Sequence, residues 1–127
     1  MRPATTEGMK GMTDPHGFRT GELFEMAEHR RGDATVVALS GELDFGTVGQ
    51  VQVRLAELRD ASAPTVLDLD ALTFMDSTGI RLVLTACEDA ERADWSFRVT
   101  RGSERVQRVL AAAQVIDRLP YDDPAPR

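Results

Sequence analysis

Val66-Leu67-Asp68-Leu69-Asp70-Ala71-Leu72-Thr73-Phe74-Met75-Asp76-Ser77-Thr78-Gly79-Ile80 is the stretch that decides the fold. Thr65 to Leu69 reads as a short strand with apolar residues on both faces. Asp70 to Met75 reads as a loop. Asp76-Ser77-Thr78-Gly79 then opens a helix whose apolar stripe is Ile80, Val83, Leu84, Cys87 and Ala90.

Upstream, Val48, Val51, Leu55 and Leu58 recur at spacings that share one helical face. Thr47 or Asp44 is placed to cap that helix, and Ala61-Ser62-Ala63-Pro64 ends it. Thr35 to Ser40 is a β-branched strand, and Leu23 to His29 is a weaker one. Arg31-Gly32-Asp33 supplies the turn of a hairpin between them. Downstream, Trp95, Phe97 and Val99 alternate with Ser96 and Arg98, the mark of a half-buried strand. A third helix carries Val106, Val109, Leu110 and Ala113, with Gly102 and Ser103 at its start.

A strand-helix-strand unit implies parallel pairing, while the opening hairpin is antiparallel. The expected fold is therefore α/β: a mixed sheet of four or five strands covered by three or four helices. Residues 22–121 make this single domain. Residues 1–21, rich in Thr, Gly and Met with Pro3 and Pro15, read as a disordered tail, with Met1, Met9 and Met12 as possible starts. Residues 122–127 read as a frayed C-terminal tail.

Composition excludes several function classes. The net charge of −6 argues against direct nucleic-acid binding, which relies on basic patches, and leaves open a partner with a basic surface. No apolar run approaches the ~20 residues of a membrane span, and Met1 to Gly21 lacks the apolar core of a secretory signal. A cytoplasmic location follows as the expectation. Cys87 is the only cysteine, so no internal disulfide is expected. His16 and His29 have no cysteine cluster around them, so no structural metal site is expected. Nothing points to a cofactor. Lys10 is the only lysine and lies in the N-terminal tail, so the folded part has none with which to hold a phosphate for transfer.

Ser77 lies at or beside a helix N-cap. Free backbone N–H groups and the helix dipole there favour a negative charge, by ~0.3–1 kcal/mol when exposed. A phosphate on Ser77 is thus locally tolerated. On spacing alone, Asp76 or Ser77 reads equally as a plain helix cap. Gly79 leaves room for the close approach of another backbone or a nucleotide.

The segment resembles the signature of STAS domains, the family of anti-sigma factor antagonists and sulphate-transporter tails. That signature is an apolar strand, Asp-Leu-Ser, a short apolar loop and Asp-Ser-(Ser/Thr)-Gly-(Leu/Ile). Asp68-Leu69 matches it, Asp70 replaces the usual Ser, and Asp76-Ser77-Thr78-Gly79-Ile80 matches in full. A second family motif is Ser40-Gly41-Glu42-Leu43-Asp44, just before the first helix. Arg81 departs from the small residue often found there, and the usual Gly is absent near Ala113-Gln114-Val115.

The resemblance implies a phosphorylation switch rather than an enzyme. Ser77 would accept phosphate from a cognate anti-sigma factor that is also a serine kinase, and a serine phosphatase would remove it. The unphosphorylated chain would bind that kinase and free a sigma factor. Asp44, Asp76, Ser77, Thr78, Gly79 and Arg81 are the partner-binding residues implied. Without the resemblance Asp44 reads as a cap, Phe45 as a core staple or an exposed contact with the core favoured, and Cys87 and Trp95 as core.

Two other functions compete. A non-switching STAS scaffold keeps the fold and drops the phosphate. A small Asp-dependent phosphatase is suggested by Asp68-Leu69-Asp70, which resembles the Asp-x-Asp of haloacid-dehalogenase-like enzymes. That motif wants Thr or Val where Leu72 stands, and a distant lysine that the folded region lacks. A two-component receiver fails for the same missing lysine, and no P-loop pattern occurs.

Overall fold

The computed structural model describes residues 23–123. The expectations for residues 1–21, including the alternative starts, and for residues 124–127 lie outside the described residues. Four strands, Glu25–Arg31 (β1), Ala34–Leu43 (β2), Thr65–Met75 (β3) and Phe97–Val99 (β4), form one sheet in the order β1-β2-β3-β4. Three helices, Val48–Asp60 (α1), Ser77–Ala93 (α2) and Glu104–Ala112 (α3), and a 3-10 turn at Ile116–Arg118 complete the chain. The β1–β2 hairpin is antiparallel; β2–β3 and β3–β4 are parallel, connected through α1 and α2. This is the mixed α/β sheet that the apolar periodicities imply.

One face of the sheet holds the core. Val37, Leu39 and Leu43 of β2 and Leu67, Leu69 and Met75 of β3 pack against the helices. Each such side chain contributes about 1.5–3 kcal/mol on burial. Val51, Leu55 and Leu58 are the buried stripe of α1, as their spacing requires. In α2 the stripe is rotated from expectation. Gly79, Leu82, Val83 and Ala86 are buried, while Ile80, Leu84, Cys87 and Ala90 are half-buried at its border. Trp95 precedes β4 rather than lying in it, but it is buried and its ring lies 5.0 Å from that of Phe97. Its indole N–H donates to the Ala63 carbonyl at 2.7 Å. Burial pushes the Cys87 thiol up to about 11, consistent with an inert packing residue.

Several local expectations are corrected. Asp70–Met75 is not a loop but the second half of β3. It pairs with β2 through Ser40–Ala71, Gly41–Leu72, Glu42–Phe74 and Leu43–Met75, with register shifts that interrupt the plain alternation. The first strand begins at Glu25 and runs on to Arg31. α3 ends at Ala112, and Ala113 is exposed. At the C-terminal end, Asp122 receives Arg31 at 2.7 Å and its N–H bonds to the Val99 carbonyl at 2.8 Å. Arg101 grips Asp123 through two bonds.

Candidate functional site

β2 and β3 run parallel and stop side by side, at Leu43 and Met75. The two sequence motifs therefore emerge at the same edge of the sheet. The Asp76 N–H donates to the Leu43 carbonyl at 3.3 Å, binding the two exits together.

Asp76 is the N-cap of α2. Its Oδ1 accepts from the Thr78 N–H at 2.9 Å, from the Gly79 N–H at 3.3 Å, and from the Thr78 hydroxyl. Partial burial pushes its carboxyl up. The donors from Thr78, Gly79 and the Phe45 backbone outweigh that and hold it below the usual carboxylate range. The Ile80 N–H closes the first helical turn on the Asp76 carbonyl at 3.1 Å. The N–H groups of Thr78, Gly79 and Ile80, expected to be free near Ser77, are therefore engaged by Asp76. Asp76, not Ser77, is the cap.

Ser77 is the first residue of α2 and is exposed. Thr78 is half-buried, its hydroxyl spent on Asp76. Gly79 is buried. A Cβ there would stand 2.6 Å from Met75 Cγ and 3.2 Å from Leu43 Cδ2. The space expected to admit an outside backbone or nucleotide is thus filled from within, and the glycine lets α2 settle onto the two strand ends. Arg81 is exposed one turn beyond Ser77. The two line one shallow groove with Ile80, Leu84, Thr85 and Glu88.

The loop after β2 is a set of local hydrogen bonds. Asp44 Oδ1 accepts from the Gly46 N–H at 3.0 Å, an Asx turn. The Thr47 hydroxyl donates to the Glu42 carbonyl at 2.9 Å and accepts from the Asp44 N–H at 2.9 Å. Neither Asp44 nor Thr47 caps α1 through its side chain, which corrects the sequence reading. Asp44 instead supplies its carbonyl to the N–H groups of Thr47 and Val48. Phe45, favoured as core, is 83% exposed, because the Asx turn aims it outward. Gly41 holds φ +85° beneath the entering chain, where a Cβ would lie 2.3 Å from the Leu23 carbonyl oxygen.

The pair Asp68 and Asp70 does structural work. Asp68 Oδ1 accepts from the Asp70 N–H at 2.9 Å and the Thr100 hydroxyl at 3.3 Å; Asp70 Oδ1 accepts from the Gly102 N–H at 3.0 Å. These bonds tie β3 to the segment entering α3. Among the described residues no group of three His, Cys, Asp or Glu side chains is placed to hold a metal ion. Nor is any helix among them long and apolar enough to cross a membrane.

Residues 25–123 match the family model of the STAS domain. The anti-sigma F factor antagonist of Paenibacillus polymyxa is 32% identical over 98 residues, 76% of this chain and 83% of that protein. The chain belongs to the STAS-domain family of anti-sigma factor antagonists. Solved STAS structures share its fold. An anti-sigma factor antagonist from Mycobacterium paratuberculosis superposes with a TM-score of 0.69 at 21% identity, over 80% of this chain and 87% of that one. SpoIIAA in its unphosphorylated form gives 0.63 at 23% identity, over 81% and 89%. The phosphorylated form of the Bacillus cell fate determinant SpoIIAA gives 0.60 at 22% identity, over 81% and 92%. In this STAS domain Asp44 directly follows the end of β2, and Asp76 and Ser77 directly follow the end of β3, at the same edge of the sheet.

Proposed function

We propose that this STAS domain is a partner-switching regulator of the cytoplasm and not an enzyme. Its unphosphorylated form binds an anti-sigma factor that is also a serine kinase, and so frees a sigma factor. The kinase phosphorylates Ser77, binding ends, and a serine phosphatase restores the first state. Asp44, Asp76, Thr78 and Arg81 form the contact surface around Ser77, with Gly79 acting from beneath by seating the helix.

The observation that carries this reading is the exposed Ser77 hydroxyl at the first turn of α2, beside a rigid loop that presents Asp44 and Phe45. A phosphoserine brings about −1.5 to −2 charges at pH 7. A partner covering Ser77 would have to take that charge out of water in a surface shaped for a neutral hydroxyl, at a cost of several kcal/mol. Each ~1.4 kcal/mol is tenfold in affinity, so release needs no refolding. The relative solved in a phosphorylated form adds support.

The test is incubation with ATP and each anti-sigma factor kinase of the host genome, followed by site mapping by mass spectrometry. Stoichiometric phosphate on Ser77 is expected. Phosphate on Thr78 or elsewhere, with Ser77 bare, overturns the assignment.

A further inference from the structure

The cap that Asp76 makes raises a question about the phosphate itself. A phosphate at a helix start ordinarily takes the free N–H groups of the first turn. Here the N–H groups of Thr78 and Gly79 already point to Asp76 Oδ1, and that of Ile80 to the Asp76 carbonyl. The nearest carboxylate, Asp76, is held ionised by those donors and repels a second anion. With those three donors taken, a phosphate on Ser77 gains most from a cation nearby.

One is in place. Arg81 stands four residues beyond Ser77 on the same regular helix, the spacing at which side chains meet, with Cβ atoms about 6 Å apart. Both residues are exposed and line the same groove. Arg81 forms no ion pair among the described residues, whereas Arg54, Arg59, Arg92 and Arg101 are each matched to carboxylates. Its planar fork suits a phosphate geometrically.

Resting on the reading of Ser77 as the phosphoacceptor, we propose that Arg81 receives the Ser77 phosphate as an ion pair across one turn of α2. The pair draws the phosphate along the outer face of α2, away from Asp76. It also removes a free cation from the binding surface, so that modification changes two charges in that surface rather than one. Arg81 is a positioning residue for the modified state.

The test installs phosphoserine at position 77 by genetic-code expansion, in the wild-type chain and in Arg81→Ala and Arg81→Lys. The phosphorus-31 signal is followed through pH 4–8. The other ionisable groups near the phosphate are Asp76 at the cap, Asp44 on the adjoining loop and Glu88 in the groove, and all are common to the three proteins. Pairing favours the dianion, so Arg81→Ala should raise the second phosphate pKa by about 0.3 unit, the size of an exposed i,i+4 ion pair. Arg81→Lys should restore most of the difference, and 1 M salt should erase it. The unphosphorylated Arg81→Ala protein should melt with the wild type, showing that α2 is intact. Identical titrations of the wild type and Arg81→Ala at low salt overturn the proposal, as does a shift that survives 1 M salt. Because the phosphate is installed rather than transferred, this result is independent of whether a kinase chooses Ser77. Failure of the functional reading shows in the site mapping instead.

Discussion

The Asp76 N–H meets the Leu43 carbonyl at 3.3 Å, where the second and third strands end side by side. That bond ties together two motifs more than thirty residues apart.

Asp76→Ala should cost about 0.5–2 kcal/mol, the range for losing an N-cap, and lower the melting temperature by several degrees. Asp76→Asn keeps an acceptor but not the charge. Because the folded-state carboxyl is held below its ordinary value, the charge contributes stability above about pH 4 and loses it as pH falls through the folded pKa. The wild-type advantage over Asp76→Asn in urea denaturation should therefore shrink between pH 7 and pH 3. An advantage that grows on acidification contradicts the role assigned to Asp76.

Gly79→Ala should destabilise by about 1–3 kcal/mol, because the new methyl meets Met75 Cγ at 2.6 Å in a closed corner. Helix propensity alone predicts the opposite, a gain of about 1 kcal/mol. Equilibrium denaturation decides between packing and propensity by the sign of the change.

The sequence made the element order legible because the apolar spacings in α1 and β4 match what is buried. The continuation of β3 was hidden. Asp68, Asp70 and Thr73 interrupt the apolar run, and only pairing with β2 through two register shifts keeps that segment extended. For Phe45, hydrophobicity alone points inward, whereas the Asp44–Gly46 hydrogen bond turns it out. The candidate site was legible as two motifs. What the motifs do not encode is that the Leu43 carbonyl accepts from the Asp76 N–H, a partner that arrives only with the sheet.

Asp44→Asn should fold as the wild type, within about 0.5 kcal/mol, because an amide oxygen can still accept from the Gly46 N–H. Kinase affinity or phosphorylation rate should fall about tenfold through the lost charge. Calorimetric binding beside thermal melting checks both halves. An unfolded variant, or one with unchanged binding and phosphorylation, reduces Asp44 to a structural residue.

The switch itself should act through surface charge and shape. Ser77 lies exposed and the cap network centres on Asp76, Thr78 and Gly79, so Ser77→Ala and Ser77→Asp should both melt within a few degrees of the wild type. Ser77→Ala should bind the kinase constitutively, and Ser77→Asp at least about tenfold more weakly. The most direct measurement is calorimetric titration of the kinase with the unmodified protein and with the protein phosphorylated on Ser77, each also melted under the same conditions. The account predicts that binding is lost on phosphorylation while the melting temperature moves by no more than a few degrees. Undiminished binding, or a collapse in stability that matches the loss of binding, would contradict it.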